Sequence, residues 1–227
     1  MDIIIVSNGR NGYLRTVTKH AIDTCVMSSS LITFNFIIVE QSKRVNYNRI
    51  PRTKTVHYDF EFNYNHCLNL GLQHSTTKYV ALCNNDLDFR PYWAENIIAA
   101  MGEVIEIDGE KIYRDKYLSA SPSRYGRRKG IVEGYEIAKQ LNGWCIVINR
   151  AVMDKIGKLD EGVKFWYSDD IYADQLRAQG IKHILVNHSL VRHLGSRTLR
   201  TDRNGRDLMR KQRKNYIEAR KKYIKKR

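Results

Sequence analysis

Three small groups of side chains carry the polar chemistry of this 227-residue sequence. Asp86 and Asp88 flank Leu87 directly after the apolar run KYVALC at 78–83. Two carboxylates one residue apart on a turn can face the same cleft, and hard oxygen ligands suit Mg²⁺ or Mn²⁺ bridging a diphosphate. The same residue types are also common turn formers at strand ends. Asp169 and Asp170 follow the aromatic triplet Phe165, Trp166 and Tyr167. Apolar neighbours screen a carboxylate from water and raise its pKa toward the range of a general base. Ser168 and the two aspartates equally fit a helix N-terminus. His188 and His193 lie five residues apart in VNHSLVRHLGSRT. A neutral imidazole completes a carboxylate metal site, and Gly195-Ser196 would let a phosphate approach the backbone.

These groups need a scaffold, and the hydrophobic pattern supplies one. The β-branched run at 3–6 stops at Ser7-Asn8-Gly9 and reads as a strand covered on both faces. Leu14, Val17, Ala21, Ile22 and Cys25 recur at helical spacing. Residues 34–39, 53–58 and 78–83 read as strands and 65–72 as a helix, an alternation expected of a doubly wound α/β sheet. Ligands of such sheets sit outside the carboxyl ends of the strands, which selects Ser7, Asn8, Glu40, Asn84, Asp86 and Asp88 as one polar rim. Farther on, 93–101 reads as a helix, Asp108-Gly109 as a hairpin turn, and 117–120 as a strand. Residues 123–130 (SRYGRRKG) read as a basic loop, 143–148 as a strand, 150–156 and 168–179 as helices, and 184–186 as a strand. There is no internal repeat.

The four cysteines, Cys25, Cys67, Cys83 and Cys145, form no CxxC pair and read as buried reduced thiols. No apolar run approaches the roughly 20 residues of a membrane span, and the first residues lack a basic signal region, so a cytoplasmic protein is expected. The net charge of +15 is uneven: residues 203–227 hold twelve Lys or Arg against Asp207 and Glu218. Such a tail fits a polyanion, either nucleic acid or an anionic membrane face, or simply a solvated helix. Met209, Tyr216 and Tyr223 recur every seven residues along it, which is also the pattern of a helix face docking on a domain.

Taken in order, the segments IIIVSNGR, NHCLNLGLQHSTTKYVALCNND, GWCIVINRAVMDKIGKLDEGVKFWYSDD and VRHLGSRT resemble a family 2 type glycosyltransferase of the GT-A fold. The likeness runs from residue 2 to about 199. It implies a Rossmann-like, mixed but mostly parallel central sheet flanked by helices. Residues 1–202 would form the transferase domain, with a nucleotide-sugar half at 1–101, an acceptor and catalytic half at 102–202, and a basic helical tail at 203–227.

The resemblance also implies roles. Asp86 matches the metal-binding aspartate of a DxD-type motif, Asn84 stands at the motif's first position, and Asp88 is an added metal ligand. His193 matches the late histidine that reaches the metal or the diphosphate. Ser7, Asn8, Arg10, Glu40, Asn65, Asn69, Asn84 and Asn85 would border the donor, a UDP-sugar in the first instance. Asp170 matches the general base, with Asp169 before it, while Gly143, Trp144 and Trp166 line the acceptor side. The implied reaction is displacement at the anomeric carbon with inversion, assisted by Mn²⁺ or Mg²⁺. With the tail, this gives hydroxymethylated DNA in a phage-infected bacterial cell as the expected acceptor. The alternatives are a cell-envelope or lipid-linked glycan reached by docking on an anionic membrane, and a non-catalytic nucleic-acid-binding protein. A nucleotidyltransferase is disfavoured, because no Gly-rich triphosphate loop follows the first strand.

Overall fold

The computed structural model describes residues 1–107, 110–126, 130–195 and 205–224. Its first half is β1 (Asp2–Ser7), α1 (Gly12–Met27), β2 (Asn35–Glu40), β3 (Thr53–His57), α2 (Tyr64–Gln73) and β4 (Tyr79–Asn84). These four strands lie parallel in the order β3-β2-β1-β4. The chain therefore builds outward from β1 and then returns through α2 to its other side. This reversal opens a crevice at the carboxyl ends of β1 and β4.

The second half contributes β5 (Leu87–Phe89), α3 (Trp93–Met101), β6 (Gly102–Ile107), β7 (Glu110–Asp115), β8 (Ser119–Ser123), β9 (Ile131–Glu133), β10 (Cys145–Asn149), α4 (Ala151–Ile156), α5 (Ser168–Ala178), β11 (His183–His193) and α6 (Gly205–Arg220). Strand β10 runs antiparallel to both β4 and β8, while β11 is parallel to β8 and antiparallel to β5 and β9. The result is a nine-stranded mixed sheet, with β6 and β7 forming a separate ribbon. Asp108-Gly109, read as the turn of that ribbon, lies outside the described residues, as do 127–129 of the basic loop and Ser196.

The sheet is buried on both faces because β1, β2, β4 and β10 are apolar through their middles, with polar residues at their ends. Ile3 and Ile5 pack in one cluster with Ala21, Ile22 and Cys25 of α1 and Trp93 and Ile97 of α3. Ile4 and Val6 point the other way, against Cys67, Leu68 and Leu72 of α2 and Tyr172 and Leu176 of α5. Each such aliphatic side chain contributes about 1.5–3 kcal/mol by leaving water. All four cysteines are buried free thiols.

Three features differ from the sequence expectation. Residues 87–89, read as part of a turn, form β5, because Leu87 and Phe89 pair with His193 and Val191 of β11 and bury in the core. Strand β11 is accordingly far longer than 184–186, continuing past an irregularity between Val186 and Leu190. Strand β9, unforeseen, adds along the same β11.

The tail helix docks on the domain. Ala219 packs with Val163 and Ile171, Tyr216 stacks on Tyr167 at 5.2 Å, and Gln212 is buried. The Tyr216 and Tyr223 hydroxyls donate to Asp174 and Asp160 at 2.9 and 2.6 Å. Met209, the first member of the sevenfold stripe, is 42% exposed, so the inward face is Gln212, Tyr216, Ala219 and Tyr223. Among the described residues no helix is long and apolar enough to cross a membrane.

Candidate active site

Strand pairing creates the central feature of the site. Because His193 of β11 is in register with Leu87, the turn before β5 lies beside the end of β11, and Leu194 N–H donates to the Asp86 carbonyl at 2.9 Å. This places Nε2 of His193 3.1 Å from Oδ1 of Asp86, both side chains being largely buried. The imidazole lies nearly parallel to the Trp144 indole, with ring centres 5.8 Å apart and planes inclined by 12°. Asn84 completes the group: its Nδ2 is 3.4 Å from His193 Nε2, and its Oδ1 accepts from the Tyr64 hydroxyl at 2.8 Å.

A cleft of about 190 Å³ opens next to this group, walled by Tyr64, Asn84, Trp144, Trp166, Asp169 and His193, with Asn142, Gly143 and Phe165 among its other lining residues. Asp169 enters it from the first turn of α5, after Tyr167 adopts a left-handed backbone (φ 68°) that turns the aromatic loop into the helix. Gly143 makes that approach possible, since a Cβ there would stand 2.6 Å from the Asp169 Cβ. Burial foremost, and then the neighbouring Asp170 charge, pushes the Asp169 carboxyl up to about 6. Burial also raises Asp170.

The structure separates that pair in a way the sequence expectation did not. Asp169, not Asp170, lines the cleft. Asp170 shares the α5 face of Asp174 and Arg177, at helical spacings of four and seven, and that face turns toward α6, where Asp174 binds Tyr216 and Arg220.

Other expected residues occupy distinct positions. Glu40 ends β2 beside Ser7 and is fully buried; its Oε1 accepts from Gly9 N–H at 2.8 Å and Ser42 N–H at 2.7 Å, while Oε2 has no partner among the described residues. Ser7 and Asn85 both reach the Thr18 hydroxyl, at 2.9 and 3.1 Å, and so tie β1, α1 and the turn before β5 together beneath the rim. Asn8 is half-buried and Arg10 exposed on the loop leading to Asn11, whose side chain caps α1.

Three expected residues are engaged elsewhere. Asn65 donates to the Asp160 carbonyl at 2.7 Å and lines a small pocket with Gly143 and Asp169, and Asn69 holds both the N–H and the carbonyl of Leu159. Their amides satisfy a buried loop backbone that has no strand to pair with. Asp88 lies opposite Arg192 on β5 and pairs with Arg90 at 3.3 Å, so it is not brought into the Asp86–His193 group.

Sequence reasoning missed Tyr64, Asn142 and Gln212. Tyr64 had a signal, an aromatic residue at the start of a helix pointing at the rim. Gln212 had none, although its Oε1 accepts from the backbone N–H groups of Phe165 and Trp166 at 2.9 and 2.7 Å and thereby fixes one wall of the cleft.

No family model and no curated protein sequence matches the chain. Solved structures do. GalNAc-T7 with UDP, GalNAc and Mn²⁺ superposes with a TM-score of 0.62 at 12% identity, over 96% of this chain and 47% of that one. The mannosyltransferase PcManGT from Pyrobaculum calidifontis, in complex with GDP-Man and Mn²⁺, gives 0.63 at 12% identity, over 96% and 63%. The fold is that of the GT-A glycosyltransferases. This chain spans about half to two thirds of the length of those GT-A proteins, and the likeness extends over nearly all of its own.

Proposed function

We propose that the chain is a divalent-cation-dependent glycosyltransferase that moves a sugar from a nucleoside-diphosphate donor to an acceptor hydroxyl, inverting the anomeric configuration. One observation carries this reading: His193, paired with Asp86, and the Asp169 carboxyl line a single cleft at the carboxyl end of β4 in a GT-A sheet.

The pair fits a cation. Neighbouring ligands of an octahedral ion at about 2.1 Å lie about 3 Å apart, the spacing of these two atoms. With Asp86 and His193 as its two protein ligands, such an ion would be completed by diphosphate and water. Bound there, Mn²⁺ or Mg²⁺ would offset the charge gathering on the departing diphosphate. The solved structures of this fold were obtained with Mn²⁺ and with UDP or GDP-mannose, in keeping with this assignment.

Asp169 is the base. Its elevated pKa equips it to take the acceptor proton near neutral pH, as the acceptor oxygen bonds to the anomeric carbon and the bond from that carbon to the diphosphate oxygen breaks. Glu40 Oε2, at the end of β2 and without a partner among the described residues, would accept a ribose hydroxyl or a base N–H of the donor. Trp144 and Trp166 offer flat faces to the acceptor, and a hydroxymethylated pyrimidine extruded from DNA fits such walls.

Nucleotide sugars screened with and without Mn²⁺ test the assignment. One donor should raise the melting temperature only in the presence of the metal and be slowly hydrolysed. Absence of any metal-dependent donor effect overturns it, and retention of configuration in the product removes Asp169 as base.

A further inference from the structure

We infer that the segment of α6 around Gln212 is a phosphodiester-binding ridge that seats a nucleic-acid strand against the acceptor cleft. This rests on the proposed function only in taking the aromatic cleft as the acceptor site.

Docking fixes which way the helix faces. Gln212 points inward to the Phe165 and Trp166 backbone, so Lys211 and Arg213, about 100° to either side of it on the helix, flank the point where α6 touches the cleft wall, with Arg210 and Lys214 on the outer face; all four are exposed. Charges farther along are consumed locally. Arg220 pairs with Asp174, Lys221 with Glu218 and Lys222 with Asp160. Among the described residues none of the four near Gln212 forms an ion pair, and the helix's two acidic residues, Asp207 and Glu218, lie outside the stretch 209–217 that holds those four. A helix that only needs to be solvated interleaves both signs of charge; this one concentrates positive charge in the stretch beside the cleft.

The cleft beside it points to the same partner. Trp144 and Trp166 line it, and a basic track flanking aromatic faces is how single-stranded or flipped nucleic acid is held. An anionic bilayer would instead use exposed aliphatic groups. The exposed apolar groups here are Met209 and Ile217 on α6 and Ile224 past its end, single side chains about two helical turns apart with Lys211, Arg213 and Lys214 between the first two.

The test uses the full chain. Gel shifts with a short oligonucleotide, single-stranded and duplex, are run over a salt series, beside sedimentation with phosphatidylcholine vesicles with and without phosphatidylglycerol. DNA binding that weakens steeply with salt is expected, without preferential sedimentation with phosphatidylglycerol. The triple variant K211Q/R213Q/K214Q should bind at least tenfold more weakly, with a salt slope smaller by roughly 2–3, since each duplex phosphate contact contributes about 0.9. If the triple variant melts below the wild type, R213Q alone is read, with weaker binding and a salt slope smaller by about 0.9. Unchanged DNA affinity in the variants overturns the inference, as does wild-type protein that sediments with phosphatidylglycerol vesicles and leaves DNA unshifted. Metal-dependent donor stabilisation is read separately on wild-type protein, so DNA binding without it would defeat the catalytic assignment and leave the ridge standing.

Discussion

His193 Nε2 and Asp86 Oδ1 lie 3.1 Å apart because β5, only three residues long, pairs with the last residues of β11. Two distant parts of the chain thus converge on one point at the edge of the Trp144 indole. Removing either partner should abolish metal-dependent donor binding. For Asp86→Asn and His193→Ala we expect Mn²⁺ affinity to fall by at least the roughly 10- to 100-fold typical of losing an outer-shell partner of a metal site. Titration calorimetry with Mn²⁺ and UDP checks this. Asp88→Asn, which breaks only the pairing with Arg90, should leave Mn²⁺ affinity within about twofold of wild type, as expected for a surface ion pair.

The second prediction concerns pH. With Asp169 at about 6, turnover requires the ionised carboxylate, so kcat/KM should fall about tenfold per unit below pH 6 and level off above it. Asp170→Asn removes a like charge that holds the Asp169 pKa up, so the acid limb should move to lower pH, with activity retained. Asp169→Asn should abolish turnover. The reverse outcome, a dead Asp170→Asn beside an active Asp169→Asn, would restore the assignment drawn from sequence.

Stability should move oppositely to activity at this position. A carboxyl whose folded pKa is raised above its unfolded value stabilises the fold fully below the unfolded pKa, and that stability is lost as pH rises through about 6. At pH 7 the ionised Asp169 is therefore a burden, and Asp169→Asn should melt higher by an amount equivalent to roughly 1–3 kcal/mol. At pH 4 the gain should largely vanish. Thermal melts of wild type and variant at the two pH values decide it.

Much of this architecture could be read in the residues, for a physical reason. β1, β2 and β4 are short apolar runs closed by polar rims, and α1 and α2 carry apolar residues at helical spacing, so burial alone marks them. β5 and β9 were invisible because a three-residue strand exists only through its partner. In α5, Ser168, Asp169 and Asp170 follow one another without a break, and which carboxylate meets the cleft depends on how the helix is rotated, a matter of packing against Gly143. Asn65 and Asn69 look like rim residues by their helix, yet the backbone at 159–160 claims both amides.

Glu40 separates donor recognition from folding. Glu40→Gln retains one carbonyl oxygen for the Gly9 and Ser42 N–H groups but replaces the unpartnered Oε2 with an amide. The expected result is a higher KM for the donor with little change in kcat, the mark of uniform binding lost. Glu40→Ala should additionally destabilise by about 1–3 kcal/mol, since two backbone donors lose their acceptor. Steady-state kinetics and urea unfolding on the two variants distinguish these contributions.

Gln212 makes α6 part of the cleft wall rather than an appendage. Its side chain is 4% exposed and receives two backbone N–H groups that no strand or helix satisfies. Gln212→Leu should strand both donors, at about 1–3 kcal/mol each when they cannot reach water, and loosen the loop carrying Phe165 and Trp166. Because Asp86 and His193 stand on other elements, metal-dependent donor binding should persist while the acceptor KM rises. Gln212→Glu, which keeps an acceptor at the same reach, should recover most of the loss. Deleting residues 203–227 would confound the removal of basic charge with collapse of this wall, so kinetics and melting of the point variants are the cleaner measurement. If Gln212→Leu binds acceptor as tightly as wild type, α6 does not shape the site.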